Sequence, residues 1–242
     1  MNNGEELLAF VIKAHGGLKR WKDLKEVKIH ANIGGLTWAN RGHPDVLSDV
    51  HFHGLLHHQY AIYYPFISKN QRSIFEAERV AIETLDGQLI SALQHPRASI
   101  LSQPREMKWS ELQLVYFPSY AMWNYLTMPF NFTLPGILLK EIEPWQEGNE
   151  TWRRLEVTFP DYIATHSKKQ VFYYGEDGLL RRQDYRVEIF GGLPGAHFTY
   201  DYKEFSGIMI PTKRRVYGRN EDNSFNPTPV FIEIDINEVE FK

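Results

Sequence analysis

A mainly β fold is predicted for this chain: a curled antiparallel sheet, or open half β-barrel, of about ten strands, with an N-terminal helix and a central helical plug. Three observations predict it. Apolar and polar residues alternate through most of the 242-residue sequence, the period of a strand with one buried face. The links between alternating runs carry short turn signals, Asp86-Gly87, Glu147-Gly148-Asn149, Asp177-Gly178 and Ser206-Gly207, too short for the crossovers that a parallel sheet needs. One aromatic segment, residues 109–132, breaks the alternation and supplies the apolar bulk that a large sheet must curl around.

The elements follow in order. Leu7, Leu8, Val11 and Ile12 recur at helical spacing from Glu5 to Ala14, and Gly16-Gly17 can adopt the left-handed conformation that ends a helix. "LKRWKDL" adds a further turn, with Trp21 and Leu24 on one side. Val27, Ile29, Ala31 and Ile33 then alternate with Lys28, His30 and Asn32, and the same period marks residues 50–64, 73–85, 88–93, 153–159, 170–174, 183–189, 197–203, 208–217 and 230–236. Within "WSELQLVYF", Ser110 and Gln113 have capping-box spacing. "PSYAMWNYL" restarts behind Pro118 with Ser119 as a second N-cap, so two short helices or one kinked helix are expected, closed by "MPFNFTLPG" as a loop. "GGLPGA" reads as a loop between two strands. If Phe190 faces His197 across it, Ile189 opposes Phe198, Val187 opposes Tyr200 and Tyr185 opposes Tyr202, while Arg186 meets Asp201 and Asp184 meets Lys203. No repeat and no low-complexity linker divides the chain, so residues 1–242 are read as one domain.

Composition limits the chemistry. The 27 Lys and Arg against 30 Asp and Glu leave a net charge of −3, which offers no excess of cations to a phosphate backbone, and no nucleic-acid partner is expected. The absence of cysteine rules out disulfides and thiolate metal sites. The sequence has no GxSxG elbow, HExxH helix, Walker loop or GxGxxG turn, and no cofactor is expected. Glu5, Glu6 and Lys13 interrupt the segment where a secretory signal would be apolar. No run approaches the roughly 18 apolar residues of an integral membrane span, and a cytoplasmic location is expected.

Two stretches carry candidate sites. "HFHGLLHHQY" places four of the ten histidines within eight residues. On a strand, His51 and His53 are same-face neighbours roughly 7 Å apart, close enough to share a metal ion. That face also carries Asp49 and Gln59 and reads first as a solvated surface, while His58 falls with Phe52, Leu56 and Tyr60 on the apolar side, next to any ligand held there. His166, Asp184, Tyr185 and His197 are a looser acid–base set. The second stretch is the aromatic segment, more ring-dense than one buried helical stripe requires. It fills the curled sheet and, with Trp109, Tyr116, Tyr120, Trp123 and Phe130, is also expected to line an apolar ligand cavity, two readings that are not exclusive.

"FYYGEDGLLRRQDYRVEIFGG", "HFTYDYKEFSGIMIPTKRRVYG" and "FIEIDINEVEF" together resemble the C-terminal strand succession of the LolA/LolB-like lipoprotein carriers, in which a Gly-x-x-x-Pro strand, here Gly207 to Pro211, precedes the last strand. "AHGGLKRWKDLKEV" and "YAMWNYLTMPF" look like a group of uncharacterised bacterial proteins with that layout. The resemblance implies an incomplete barrel covered by helices, around a hydrophobic cavity that takes up acyl chains. The chain departs from the carriers in having no lipobox cysteine. Non-enzymatic binding of a hydrophobic or lipid-like small molecule is the expected function. An enzyme using histidines, or a histidine-bound metal, in the same cavity is the alternative.

Overall fold

The computed structural model describes residues 3–242. Helices α1 (Asn3–Ala14) and α2 (Leu18–Asp23) lead into a sheet of strands β1 (Glu26–Gly34), β2 (Val50–Leu55), β3 (Tyr60–Tyr64), β4 (Gln71–Glu76), β5 (Arg79–Thr84) and β6 (Leu89–Gln94). Between β1 and β2 lies α3 (Leu36–Asn40), and α4 (Pro96–Leu101) precedes the long helix α5 (Glu111–Thr127). The second half is strands β7 (Leu138–Glu147), β8 (Glu150–Thr158), β9 (Lys169–Tyr174), β10 (Leu180–Val187), β11 (Leu193–Phe205) and β12 (Ile208–Arg219), then the short β13 (Phe225–Asn226) and β14 (Ile232–Phe241).

All of them form one sheet, in the order β6-β5-β4-β3-β2-β1-β14-β12-β11-β10-β9-β8-β7, with β13 paired to β12 off that path. Each half is a meander of antiparallel neighbours, and β14 is the seam, pairing with β1 on one side and β12 on the other. The edges β6 and β7 do not pair, so the curl stays open. The expected mainly β half-barrel with an N-terminal helix and a central plug is the fold observed.

Fourteen strands replace about ten for identifiable reasons. Residues 50–64 break at His57-His58 into β2 and β3, and residues 73–85 break at Ala77-Glu78 into β4 and β5. β13 is only two residues long. β7 escapes sequence pattern because it is an edge strand with little burial, and Pro144 sits at the irregularity between Ile142 and Trp145, where a missing N–H costs no ladder bond.

The expected hairpin register is wrong. β10 and β11 pair Arg182 with Phe198, Asp184 with Ala196, Tyr185 with Gly195 and Val187 with Leu193. The turn is not "GGLPGA" but Glu188–Gly192, where Gly191 (φ 69°) and Gly192 (φ 78°) take the left-handed conformation that glycine allows. Leu193, Pro194 and Gly195 therefore belong to β11. Asp184 meets not Lys203 but Arg182, two positions along its own strand, in a pair with Nε–Oδ1 2.6 Å and Nη2–Oδ2 2.9 Å.

The plug is one helix. Ser110 caps α5 by the expected box, its hydroxyl accepting from the Gln113 N–H while the Gln113 side chain accepts from the Ser110 N–H. The helix runs on through Pro118, so Ser119 is interior and not an N-cap. Every residue from Gln113 to Thr127 is buried, the property of a helix surrounded by protein on all sides. Its ring density is thus explained without a second stripe.

At one end of the curl, α1 and α2 close the barrel over the β11–β12 turn. Gly16 (φ 114°) lets the chain pass so near that turn that a Cβ there would lie 2.0 Å from the Gly207 carbonyl oxygen. Trp21 stacks on Phe130 at 4.3 Å between ring centres, which places Phe130 in the wall between α2 and the plug. The opposite end, around α3, the β10–β11 turn and residues 219–231, is less completely filled.

Candidate functional site

At that opposite end a cleft of about 300 Å³ opens between the concave face of β10, β11 and β12 and the N-terminal half of α5. Its lining includes Phe117, Val187, Phe190, Val216, Phe231 and Ile232. The space exists partly because Gly195 of β11 lies directly opposite Gly218 of β12, beside Tyr185 and under Phe231. A Cβ on Gly195 would press on the Tyr185 ring at 3.0 Å, and one on Gly218 would meet Phe231 at 3.4 Å. Phe231 is fixed by backbone bonds to Val216 and, through its carbonyl, to the Thr37 N–H. Thr37, Phe190, Leu193 and Phe231 are shared with an outer chamber of about 460 Å³ that also contains Asn40, Arg41, Arg105, Glu106 and Lys108. The apolar cleft and the charged chamber thus adjoin, with those four residues as common wall.

Deeper in, the plug leaves almost no space. A residual gap between Trp38, Tyr63, Phe117, Tyr125 and Ile234 measures only about 10 Å³, no more than the space of a single water molecule. Of the rings expected to line a cavity, Tyr120, Trp123 and Phe130 are packed into this core, at 0%, 1% and 2% exposure. The Trp123 indole N–H donates to the Leu55 carbonyl at 2.6 Å. Trp109 packs against Phe117 and Phe190, behind the cleft. Tyr116 borders a separate, polar hollow of about 260 Å³ with Arg97, Thr165 and Glu188. The open space is therefore displaced from those residues to the neighbouring Phe117.

The histidine-rich strand is resolved by register. His51 stacks between His30 and Tyr64, at 4.7 and 5.1 Å between centres, and His53 bonds the Glu26 carboxylate at 2.7 Å. Both lie on the face opposite the buried Val50 and Phe52. His57 and His58 form the β2–β3 turn; the placement of His58 on the apolar side is corrected, because the strand ends before it and its side chain is exposed. Among the described residues no group of three or more His, Asp or Glu side chains is arranged to hold a metal ion.

The looser acid–base set divides between two faces. Asp184 is on the convex side with Arg182, under Trp145, Tyr173 and Phe198. His166 is 2% exposed and lies within reach of the Tyr120 hydroxyl (3.2 Å) and the Tyr125 hydroxyl (2.7 Å), one on each ring nitrogen. It also stacks on Tyr185 at 4.1 Å. A neutral imidazole satisfies this cage by donating to one tyrosine and accepting from the other. Burial, and secondarily Arg97, pushes His166 down to about 3. His197, wholly buried against Tyr125, is likewise held well below the usual histidine range by burial, then by Arg214 and His166. Both are neutral and buried, at 2% and 0% exposure.

The fold and cleft define a class: an open, helix-plugged half-barrel of the LolA type. No family model and no curated protein matches the sequence. The similarity is carried by solved structures. A LolA superfamily protein from Nitrosomonas europaea superposes with a TM-score of 0.54 at 11% identity, over 99% of this chain and 93% of that one. A DUF1329 family protein from Desulfovibrio piger gives 0.55 at 12% identity, over 100% and 94%. A domain named for outer membrane lipoprotein sorting, from Vibrio parahaemolyticus, gives 0.53 at 10% identity, over 99% and 94%. The expected LolA-like fold is thereby shown.

The expected cytoplasmic location does not survive this comparison. Chains of the fold include one named for the outer membrane, and the charged residues at 5, 6 and 13 lie on the exposed face of α1, a surface feature that is no guide to location. No described helix is long and apolar enough to cross a membrane.

Proposed function

We propose that this protein binds a hydrophobic, lipid-like small molecule, without catalysis, in the cleft between β10–β12 and α5. The observation that carries the reading is the cleft itself, an apolar space of about 300 Å³ beside an otherwise filled barrel. That volume is at the lower end for small-molecule sites and suits a single acyl chain. Burial of such a chain contributes about 0.8 kcal/mol per methylene without any matched polar contact. The name of the Vibrio parahaemolyticus neighbour, which concerns lipoproteins, agrees with a ligand of this chemistry.

Gly218→Leu tests the site. Its side chain enters the cleft toward Phe231, and displacement of N-phenyl-1-naphthylamine by dodecanol is expected to weaken at least about tenfold, the equivalent of about 1.4 kcal/mol. The unfolding midpoint is expected to stay near that of the unsubstituted protein. Unchanged binding in a folded variant would place the ligand elsewhere.

A further inference from the structure

We propose that the ligand of this cleft is a single-chain amphiphile with an anionic head, its chain in the apolar cleft and its head held at the mouth by Arg41 and Arg105. The inference rests on the binding reading above and adds the head-group chemistry. Three cations and one carboxylate, Arg41, Arg105, Lys108 and Glu106, line the outer chamber, a local excess of two positive charges on a chain whose net charge is −3. None of the three cations forms an ion pair among the described residues. Lys108 is occupied by the backbone, donating to the Ala39 and Asn40 carbonyls at 3.1 Å each.

Arg41 is held in place differently. Its guanidinium lies 4.5 Å from the centre of the Phe190 ring and 5.1 Å from that of Trp109, and its Nη1 donates to the carbonyls of Arg105 and Met107. Its buried Nε has no acceptor. The plane is therefore positioned by rings and carbonyls with donor capacity left over, the arrangement that suits a carboxylate or phosphate oxygen. Phe190 lines both chambers, so a chain lying on one side of that ring brings its head to the cation on the other. Charge and apolarity are ordered along the cleft as they are along an anionic amphiphile.

Binding of dodecanoate, dodecyl phosphate and dodecanol to the full chain, by calorimetry at low ionic strength, distinguishes the outcomes. Dodecanoate or dodecyl phosphate, or both, is expected to bind at least about tenfold tighter than dodecanol, and the stronger of the two identifies the head as carboxylate or phosphate. Arg105→Glu, a change at an exposed position, is expected to remove most of that preference, read as the ratio of anion to dodecanol affinity; Arg41→Gln is expected to do the same. Equal affinity for all three ligands overturns the head-group inference and leaves the binding reading intact. A preference for the anions that survives Arg105→Glu and Arg41→Gln also overturns it. Failure of every ligand, dodecanol included, overturns both.

Discussion

Acidification from pH 7 to pH 5 is expected to cost this protein a large part of its stability, because three histidines are folded in neutral form. Burial lowers His15 to about 4 and His166 to about 3, and holds His197 well below its ordinary value. In the unfolded chain each titrates near 6.5. Between that value and the folded values the unfolded state binds more protons, so stability is complete above about pH 6.5 and falls as the pH drops below it. Near pH 5.5 the limiting slope is about 1.4 kcal/mol per pH unit for each histidine, or roughly 4 kcal/mol per unit for the three together. Denaturant unfolding measured between pH 7.5 and 5 checks this. His197→Phe, which removes a ring with no hydrogen-bond partner, is expected to reduce the slope by about a third. A flat profile would mean that water or a counter-charge reaches these rings.

The second large effect is expected on the convex face. There Trp152, Tyr173, Ala196 and Phe198 form a small second core, with Trp145, Tyr217 and Phe225 packed on it. Arg182 is inserted into it at 1% exposure. Its guanidinium is satisfied by Asp184, by the Asn223 carbonyl at 2.7 Å and by the rings of Trp145, Tyr173 and Phe198. Asp184 in turn accepts from the Tyr173 hydroxyl at 2.8 Å. Asp184→Ala leaves the buried Arg182 cation with only the more distant Glu147 carboxylate, at 4.0 Å, as counter-charge, and the expected loss is about 3 kcal/mol in chemical denaturation. Arg182→Met together with Asp184→Ala is expected to recover most of it, because neither charge is then buried alone. Additive losses in the double variant would show that the two residues act separately.

Much of this architecture is legible in the sequence and the cleft is not, for one physical reason. Strand period, helix caps and the ring-dense plug are local properties, and Ser110 with Gln113 or Val27 with Ile29 declare them within a few residues. Turns without glycine or proline, at His57-His58 and Ala77-Glu78, leave the alternation unbroken and pass as strand. The register of β10 on β11 depends on where Gly191 and Gly192 reverse the chain, and the proline and glycine that follow them read as more loop. A charge pairing chosen to fit the wrong register, Asp184 with Lys203, concealed the true partner two residues away.

The cleft needs more still. Thr37, Phe117, Tyr185, Gly195, Val216 and Phe231 come from separate stretches of chain, and the space among them comes from two glycines that face each other only once β11 and β12 are in register. The dense aromatic segment marks the plug helix, but burial on all sides makes Tyr120, Trp123 and Phe130 core and leaves Phe117 at the edge as the ring that meets open space.

Photocrosslinking with a dodecyl chain that carries a terminal diazirine, followed by mass-spectrometric mapping, tests the binding claim most directly. The account predicts saturable labelling at one chain per protein, confined to the Phe117, Phe190 and Phe231 side chains and their immediate neighbours, and suppressed by excess dodecanol and by Gly218→Leu. Labelling scattered over the surface, or concentrated at the polar hollow beside Tyr116, would contradict it.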